Sequence, residues 1–266
     1  MNIRPLTSSD FATLLACFNE SFSDYLVPFA LDEARLTEII ARRGVDLTAS
    51  IGAFDGDRMV AFTLNGVDGE RAYDSGTGVV PSHRRTGLGR SVMDASFELL
   101  RERGKTAYVL EVLEANEKAA ALYRNLGFEE TRHFQCWTFE AKERAHAREL
   151  ANVDLEQIKT WADVAPSWQN DVASLRRAKE PYVALGDDHG AVIVFPKTGD
   201  LPLLAVSKGG RRAGLGRKLL NAAATRAAKP LRILNVDDRD PGIAAFLERV
   251  GAQRTVRQIE MIRSLR

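Results

Sequence analysis

Val80-Pro81-Ser82-His83-Arg84-Arg85-Thr86-Gly87-Leu88-Gly89-Arg90 decides the fold, because the chain carries the pattern twice. The second copy reads Val206-Ser207-Lys208-Gly209-Gly210-Arg211-Arg212-Ala213-Gly214-Leu215-Gly216-Arg217. In both, Arg-Arg-x-Gly-Leu-Gly-Arg follows an apolar, strand-like run and precedes an Ala- and Leu-rich helical run. Glycines allow a tight turn and let a ligand approach the main chain. The amides of the following helix's first turn, with its dipole, make an anion site suited to a pyrophosphate. Alone, a Gly-x-Gly loop reads more readily as a glycine-capped turn. No Gly-Lys-Ser/Thr follows, as a Walker loop requires, and the third glycine of the dinucleotide fingerprint is missing.

Working outward, residues 88–103 have helical spacing, and Ala107-Tyr108-Val109-Leu110-Glu111-Val112 reads as a buried strand. A helix follows over 117–126, with Asn116 as its N-cap and Gly127 as its stop, then Phe128. At this spacing the two segments resemble the GNAT superfamily of acetyl-CoA-dependent N-acyltransferases, over about residues 1–140. Arg84-x-x-Gly87-x-Gly89 resembles its pyrophosphate loop. Glu111-Val112 with Asn116, Ala119, Leu122-Tyr123 and Gly127-Phe128 resembles its second signature.

The resemblance implies acetyl-CoA as co-substrate and no metal. It assigns the cofactor to Arg84, Arg85, Thr86, Gly87, Leu88, Gly89 and Arg90, the three arginines adding charge for outer phosphates. The backbone of Val79 and Val80 would pair with pantetheine like an added strand and steady the tetrahedral oxyanion. Asn116 would hydrogen-bond the pantetheine arm while capping its helix. Tyr123 takes the general-acid position, protonating the departing sulfur; its other reading is a core-edge aromatic on an amphipathic helix. Glu111 interrupts an apolar strand, where a carboxylate is costly unless paired or functional. The resemblance gives it a share in deprotonating the amine, often through water, and a structural salt bridge is the alternative.

On the acceptor side, residues 2–4 read as a strand. Residues 11–21 and 31–43 read as helices, the first capped by Ser9 or Asp10. Between them lies Phe22-Ser23-Asp24-Tyr25-Leu26-Val27-Pro28-Phe29. By resemblance Asp24 and Tyr25 are amine contacts; a packed aromatic loop would use the same residues. Residues 50–54 and 59–67 read as a hairpin at Asp55-Gly56-Asp57, and Asn65 on its second strand is a third candidate to face the acceptor.

A length of 266 residues suits two domains. The expected division is 1–140, a linker over 141–152 whose residues 141–150 read as a charged helix, and 153–266. The fold class is α/β: tandem GNAT-like domains, each a central mixed, mostly antiparallel sheet flanked by helices. Two cysteines, Cys17 and Cys136, argue against a disulfide framework and for a reducing cytoplasm. The four histidines lack metal-ligand spacing, and no run suits a membrane span or signal peptide. Residues 1–140 carry 15 Lys/Arg and 21 Asp/Glu, and the remainder 22 and 15. The acidic first half suits a cationic acceptor, a small-molecule or peptide amine, and equally suits docking on a basic second half. The chain's net +1 argues against general nucleic-acid binding.

In the second copy, residues 171–178 and 215–228 read as helices and 231–236 as a strand, with a hairpin around Gly186-Asp187-Asp188-His189-Gly190. Counting back from Gly251 puts Leu247 where Tyr123 stands, Asp240 for Asn116 and Asn235 for Glu111. The acid and the amide are replaced, and Asp237-Asp238-Arg239-Asp240 adds negative charge near the CoA arm. The reading is an N-acetyltransferase working in its first domain by direct attack of a primary amine, beside a degenerate copy. Its rivals are a non-catalytic acyl-CoA sensor and catalysis in the second domain.

Overall fold

In a computed structural model, which describes residues 1–24 and 30–266, β1 (Asn2–Pro5) is followed by α1 (Phe11–Ser21) and α2 (Glu33–Arg43). The chain then forms a meander of β2 (Ile51–Asp55), β3 (Arg58–Asp68) and β4 (Arg71–Val79). β1 pairs antiparallel with β2, β2 with β3, and β3 with β4. Next come α3 (Leu88–Glu102), β5 (Ala107–Leu113), α4 (Glu117–Asn125) and β6 (Glu129–Phe139). β5 lies parallel to β4, as a strand–helix–strand crossover requires.

Local side chains and glycines punctuate the helices. Asp32 caps α2 through the Arg35 amide at 2.7 Å, and Gly44, at φ 69°, stops it. Asn116 accepts from the Ala119 amide at 3.3 Å, and Gly127 sits at φ 81° after α4. Asp10 differs from expectation: its side chain does not cap α1. It accepts from the Thr7 amide at 2.8 Å and forms a two-pronged pair with Arg4, at 2.9 and 2.7 Å. Hydrogen bonding from Arg4 holds the Asp10 carboxyl well below its ordinary range.

The later elements are α5 (Leu155–Lys159), α6 (Val172–Arg177), β7 (Val183–Asp187), β8 (Gly190–Val194) and β9 (Leu203–Val206). They are followed by α7 (Leu215–Arg226), β10 (Leu231–Asp237), α8 (Pro241–Val250) and β11 (Gln253–Ser264). The chain divides into unit 1, Met1–Thr131 with Glu260–Arg266, and unit 2, Arg132–Ile259, so the boundaries fall within β6 and β11. Unit 1 orders its strands β1-β2-β3-β4-β5, with the end of β11 beside β5. Its core centres on Phe18, Phe62, Leu64, Val80 and Val92. Unit 2 holds the β7-β8-β9 meander and an antiparallel β6–β10 pair. Trp137, Leu219, Leu231 and Leu247 anchor its core.

The predicted helix over 141–150 is absent, and the last residues of this stretch pair with β7 instead. Leu150 donates to Ala184 O at 2.9 Å, and Gly186 donates to Arg148 O at 2.8 Å. Its Ala145 and Ala147 pack against the core around Leu219 and Leu231, and Leu150 packs against the cluster of Leu155, Ile193 and Phe195.

Candidate active site

The site begins where two strands part. β4 and β5 pair from Arg71↔Ala107 to Asp74↔Leu110, and there the ladder ends. On β4's other side the register with β3 slips between Leu64↔Gly76 and Asn65↔Asp74, so Ser75 is an extra residue. A bulge bends its strand, and this one carries residues 75–79 along β3 and away from β5. Val80 donates to Val60 O at 3.0 Å. By antiparallel alternation the main-chain groups of Val79 then face the gap. Val80 is fully buried, with its amide engaged, so Val79 presents the strand edge.

The glycine loop follows. Arg85 and Gly87 take positive φ, 65° and 85°, turning the chain into α3. The helical ladder starts with the Ser91 amide donating to Gly87 O at 3.1 Å, so the amides of Leu88, Gly89 and Arg90 lie ahead of it. A Cβ at Gly89 would stand 3.5 Å from Val79 and 3.8 Å from Leu122, ordinary contact distances. The protein itself therefore does not demand glycine at this position. The other loop residues divide by task. Leu88 is buried in the core, and Thr86 donates to His83 O at 2.7 Å. Arg85 and Arg90 are exposed, with Arg90 3.7 Å from Asp94.

Arg84 does not reach outward to phosphate. Its Nε donates to Val79 O at 3.1 Å, one terminal nitrogen donates to Ser21 O at 2.8 Å, and both grip Asp24, at 2.7 and 2.8 Å. Arg84 braces the loop, and Asp24 is its counter-ion, with a carboxyl held below the ordinary range by that hydrogen bond. Tyr25 lies outside the described residues. Asn65, expected at the acceptor, is fully buried. Its amide donates to Ala49 O and Ser96 Oγ, both at 2.6 Å, and its oxygen accepts from Tyr108, so it joins β3 to α3 inside the core.

Two further pairs flank the gap. Tyr73 donates to Glu111 Oε2 at 3.1 Å, and Tyr123 donates to Asp74 Oδ2 at 3.3 Å. Tyr73 and Asp74 are consecutive in a strand, so they project from opposite sheet faces. Glu111 and Tyr123 therefore approach the end of the ladder from opposite sides. Arg43 of α2 is on the first side, donating to Ser75 O at 2.7 Å. Tyr123 packs edge-on to Phe128, with ring centroids 5.7 Å apart, on the second. Burial lifts the Asp74 carboxyl to about 6 against hydrogen bonds from Thr77, Gly76 and Tyr123 that favour its ion. Burial and the Glu111 charge push the Tyr73 phenol well above 10. Asp74 went unnoticed in the sequence, where its signal is an acid within a strand followed at once by Ser75-Gly76-Thr77.

The acetyltransferase (GNAT) family model matches residues 8–128, which takes in the loop, both flanking pairs and α4. Unit 1 is a GNAT-family domain. The [ribosomal protein bS18]-alanine N-acetyltransferase of Salmonella typhimurium is 39% identical over 74 residues, 28% of this chain and 50% of that protein. The chain thus spans about half the length of that curated relative. Over its whole length the chain has the tandem GNAT fold. A GCN5-related N-acetyltransferase from Sphaerobacter thermophilus superimposes with a TM-score of 0.74 at 15% identity, covering 100% of this chain and 96% of that one. A tandem GNAT protein from the clavulanic acid biosynthesis pathway gives 0.72 at 16%, covering 100% and 98%.

Unit 2 repeats the glycine loop without the flanking pairs. Arg212 and Gly214 have φ of 65° and 83°. Arg211 donates to Val206 O at 3.0 Å, to Trp161 O at 2.8 Å and to Asp163 at 2.6 Å. Leu247 is fully buried in the core, and Asn235, at φ 58°, is tied to Ser167 and Gln258 at 3.0 and 2.8 Å. The acidic run is neutralised, contrary to expectation. Asp237 pairs with Arg239 and Arg132 at 2.8 and 3.2 Å, Asp238 pairs with Arg257 at 2.6 Å, and Asp240 caps α8. Among the described residues there is no metal-binding cluster and no helix long and apolar enough to cross a membrane.

Proposed function

We propose that unit 1 transfers an acetyl group from acetyl-CoA to a primary amine by direct attack. The observation that carries this is the approach of Glu111 and Tyr123 from opposite sheet faces to a strand gap beside a glycine-turned helix start. The pyrophosphate would rest on the amides of Leu88, Gly89 and Arg90. Arg85 and Arg90 would supply outer charge, and pantetheine would lie along the Val79 edge, with the Asn116 amide as a donor. The amine enters on the Glu111 side, gives up a proton to that carboxylate or through water, and attacks the thioester carbon. As the C–S bond breaks, sulfur keeps the electron pair and takes the Tyr123 proton.

The acceptor class is a small-molecule or peptide amine; the ribosomal-protein relative's name supports the peptide arm. Unit 2 contributes no turnover, since Leu247 has no proton to give. Two buried, unbridged cysteines suit a reducing compartment such as the cytoplasm. The test is thiol release from acetyl-CoA over a panel of amines and N-terminal peptides. Amine-dependent release that falls about 100-fold in Tyr123→Phe supports the reading. Acetyl-CoA binding with no release on any amine would make the chain an acyl-CoA sensor.

A further inference from the structure

Asp74 is an acid that the transfer chemistry above leaves without a part. It is 6% exposed and sits at the last paired position of the β4–β5 ladder, directly before the bulge. Its two oxygens are fixed from its own strand: the Gly76 amide donates to Oδ1 at 2.9 Å, and Thr77 Oγ1 donates to Oδ2 at 2.8 Å. Oδ2 is also the atom that meets the Tyr123 hydroxyl, at 3.3 Å across from α4. A carboxyl held at both ends by a bulge is a rigid fixture, whereas a phenol on a nine-residue helix turns about two side-chain torsions. Burying a carboxyl here is unfavourable, as its rise to about 6 records, and a merely structural site is better filled by an apolar side chain.

We propose that Asp74 is a positioning residue: clamped by Gly76 and Thr77, it anchors the phenol oxygen of Tyr123 at the point where the departing sulfur must be met. The anchor needs a polar atom at the Oδ2 position, and either partner can carry the proton between them. This rests on the assignment of Tyr123 as the proton donor. It adds that the donor's location is imposed by the β4 bulge rather than by α4 alone.

Three variants test it: Asp74→Ala, which removes the anchor, Asp74→Asn, which keeps a polar atom there, and Thr77→Val, which loosens the clamp without touching the acid. Asp74→Ala should lower kcat about tenfold, the scale of one lost buried hydrogen bond, with KM for acetyl-CoA unchanged. Asp74→Asn should recover most of that loss, and Thr77→Val should show a smaller loss. In a Tyr123→Phe background all three should add nothing, because the group they position is gone. Equal losses in both backgrounds, a loss confined to KM, or an Asp74→Asn enzyme as slow as Asp74→Ala would overturn the proposal. Should Asp74→Ala fail to fold, the Thr77→Val cycle decides alone. A crystal structure of Asp74→Ala with acetyl-CoA separates the two readings. A Tyr123 phenol that keeps its place sinks the anchor even if transfer stands. A displaced phenol supports the anchor even if the chain proves to be a sensor.

Discussion

Arg84 and Arg211, at matching points of the two glycine loops, make the same three contacts. Each bonds the carbonyl five residues behind it, a main-chain carbonyl far upstream, and an aspartate, Asp24 or Asp163. Unit 2 has this brace without the phenol and the strand carboxylate. The guanidinium therefore serves the shape of the loop, which leaves the exposed Arg85 and Arg90 to supply charge in the proposed acetyl-CoA site.

From this, Arg84→Ala should weaken acetyl-CoA binding about tenfold, the scale of one lost charge-assisted hydrogen bond, through displacement of the loop. The effect should persist at high salt. Arg90→Ala should cost about two- to threefold at low salt and almost nothing at high salt, as screening removes a surface charge. Calorimetric titration at two ionic strengths separates them. Equal salt dependence for the two variants would return Arg84 to the phosphate.

Tyr123→Phe should lower kcat by about 100-fold, the modest end for a general acid because a thiolate leaves readily, with acetyl-CoA affinity unchanged. The ring contact with Phe128 survives in this variant. Steady-state kinetics with a competent amine, alongside binding, is the check; wild-type kcat would remove the role.

Gly87 and Gly89 should respond differently. Gly87 stands at φ 85° in open space, so Gly87→Ala should cost about 1–2 kcal/mol of stability from backbone strain. Gly89 has ordinary φ and room for a Cβ, so Gly89→Val should fold normally and lose acetyl-CoA binding, its branches occupying ligand space. Thermal melts with and without acetyl-CoA distinguish these outcomes. A ligand-induced rise in Tm retained by Gly89→Val would count against the pyrophosphate site.

Asp74 makes a signed prediction about pH. Its carboxyl titrates near 6 when folded, against an ordinary 3.8, so between those values the folded chain binds more protons than the unfolded one. Its contribution to stability therefore falls as pH rises from about 4 to about 6 and stays low above that, by about 3 kcal/mol before relaxation. Arg43, Tyr73, Glu111, Tyr108 and Tyr123 are the charged and titratable groups around it. Asp74→Asn should flatten this slope and melt higher than wild type at pH 7.5. Parallel stability profiles for the two proteins would contradict the burial argument.

Unit 2 should contribute nothing to turnover. Adding Gly216→Val to Tyr123→Phe should leave the residual rate unchanged, measured as thiol release. A further large drop, with the fold and first-site binding intact, would show that unit 2 is active.

What the sequence made legible was local. Gly87, Gly127 and the Asn116 cap act through their own backbones, so the loop, α3 and α4 could be read directly from spacing. The residues that escaped depend on partners distant in the chain. Asn65 looked available until Tyr108 and Ser96 closed around it. Arg84 looked like a phosphate ligand until Asp24 met it, 60 residues away. Asp74 gains its meaning from a bulge that a strand pattern does not reveal. Long strands with mixed polarity, β6 and β11, carried too little alternation to be found. Residues 141–150 have a helical composition, yet Arg148 and Leu150 hydrogen-bond along the edge of β7.

The assignment of Glu260–Arg266 to unit 1 bears on how that unit is made. Leu265 donates to Thr106 O at 2.9 Å and accepts from Arg101 at 2.8 Å, while Arg263 reaches Leu126 O and lies 3.9 Å over the Phe97 ring. During synthesis, which proceeds from the N-terminus at about 5–20 residues per second, the segment bearing Tyr123 and Glu111 emerges well before these contacts can form. Unit 1 must wait for unit 2 to be translated, so a truncated or stalled chain cannot leave the ribosome with a finished first domain. Expressing residues 1–140 alone would give a domain that lacks part of its own sheet.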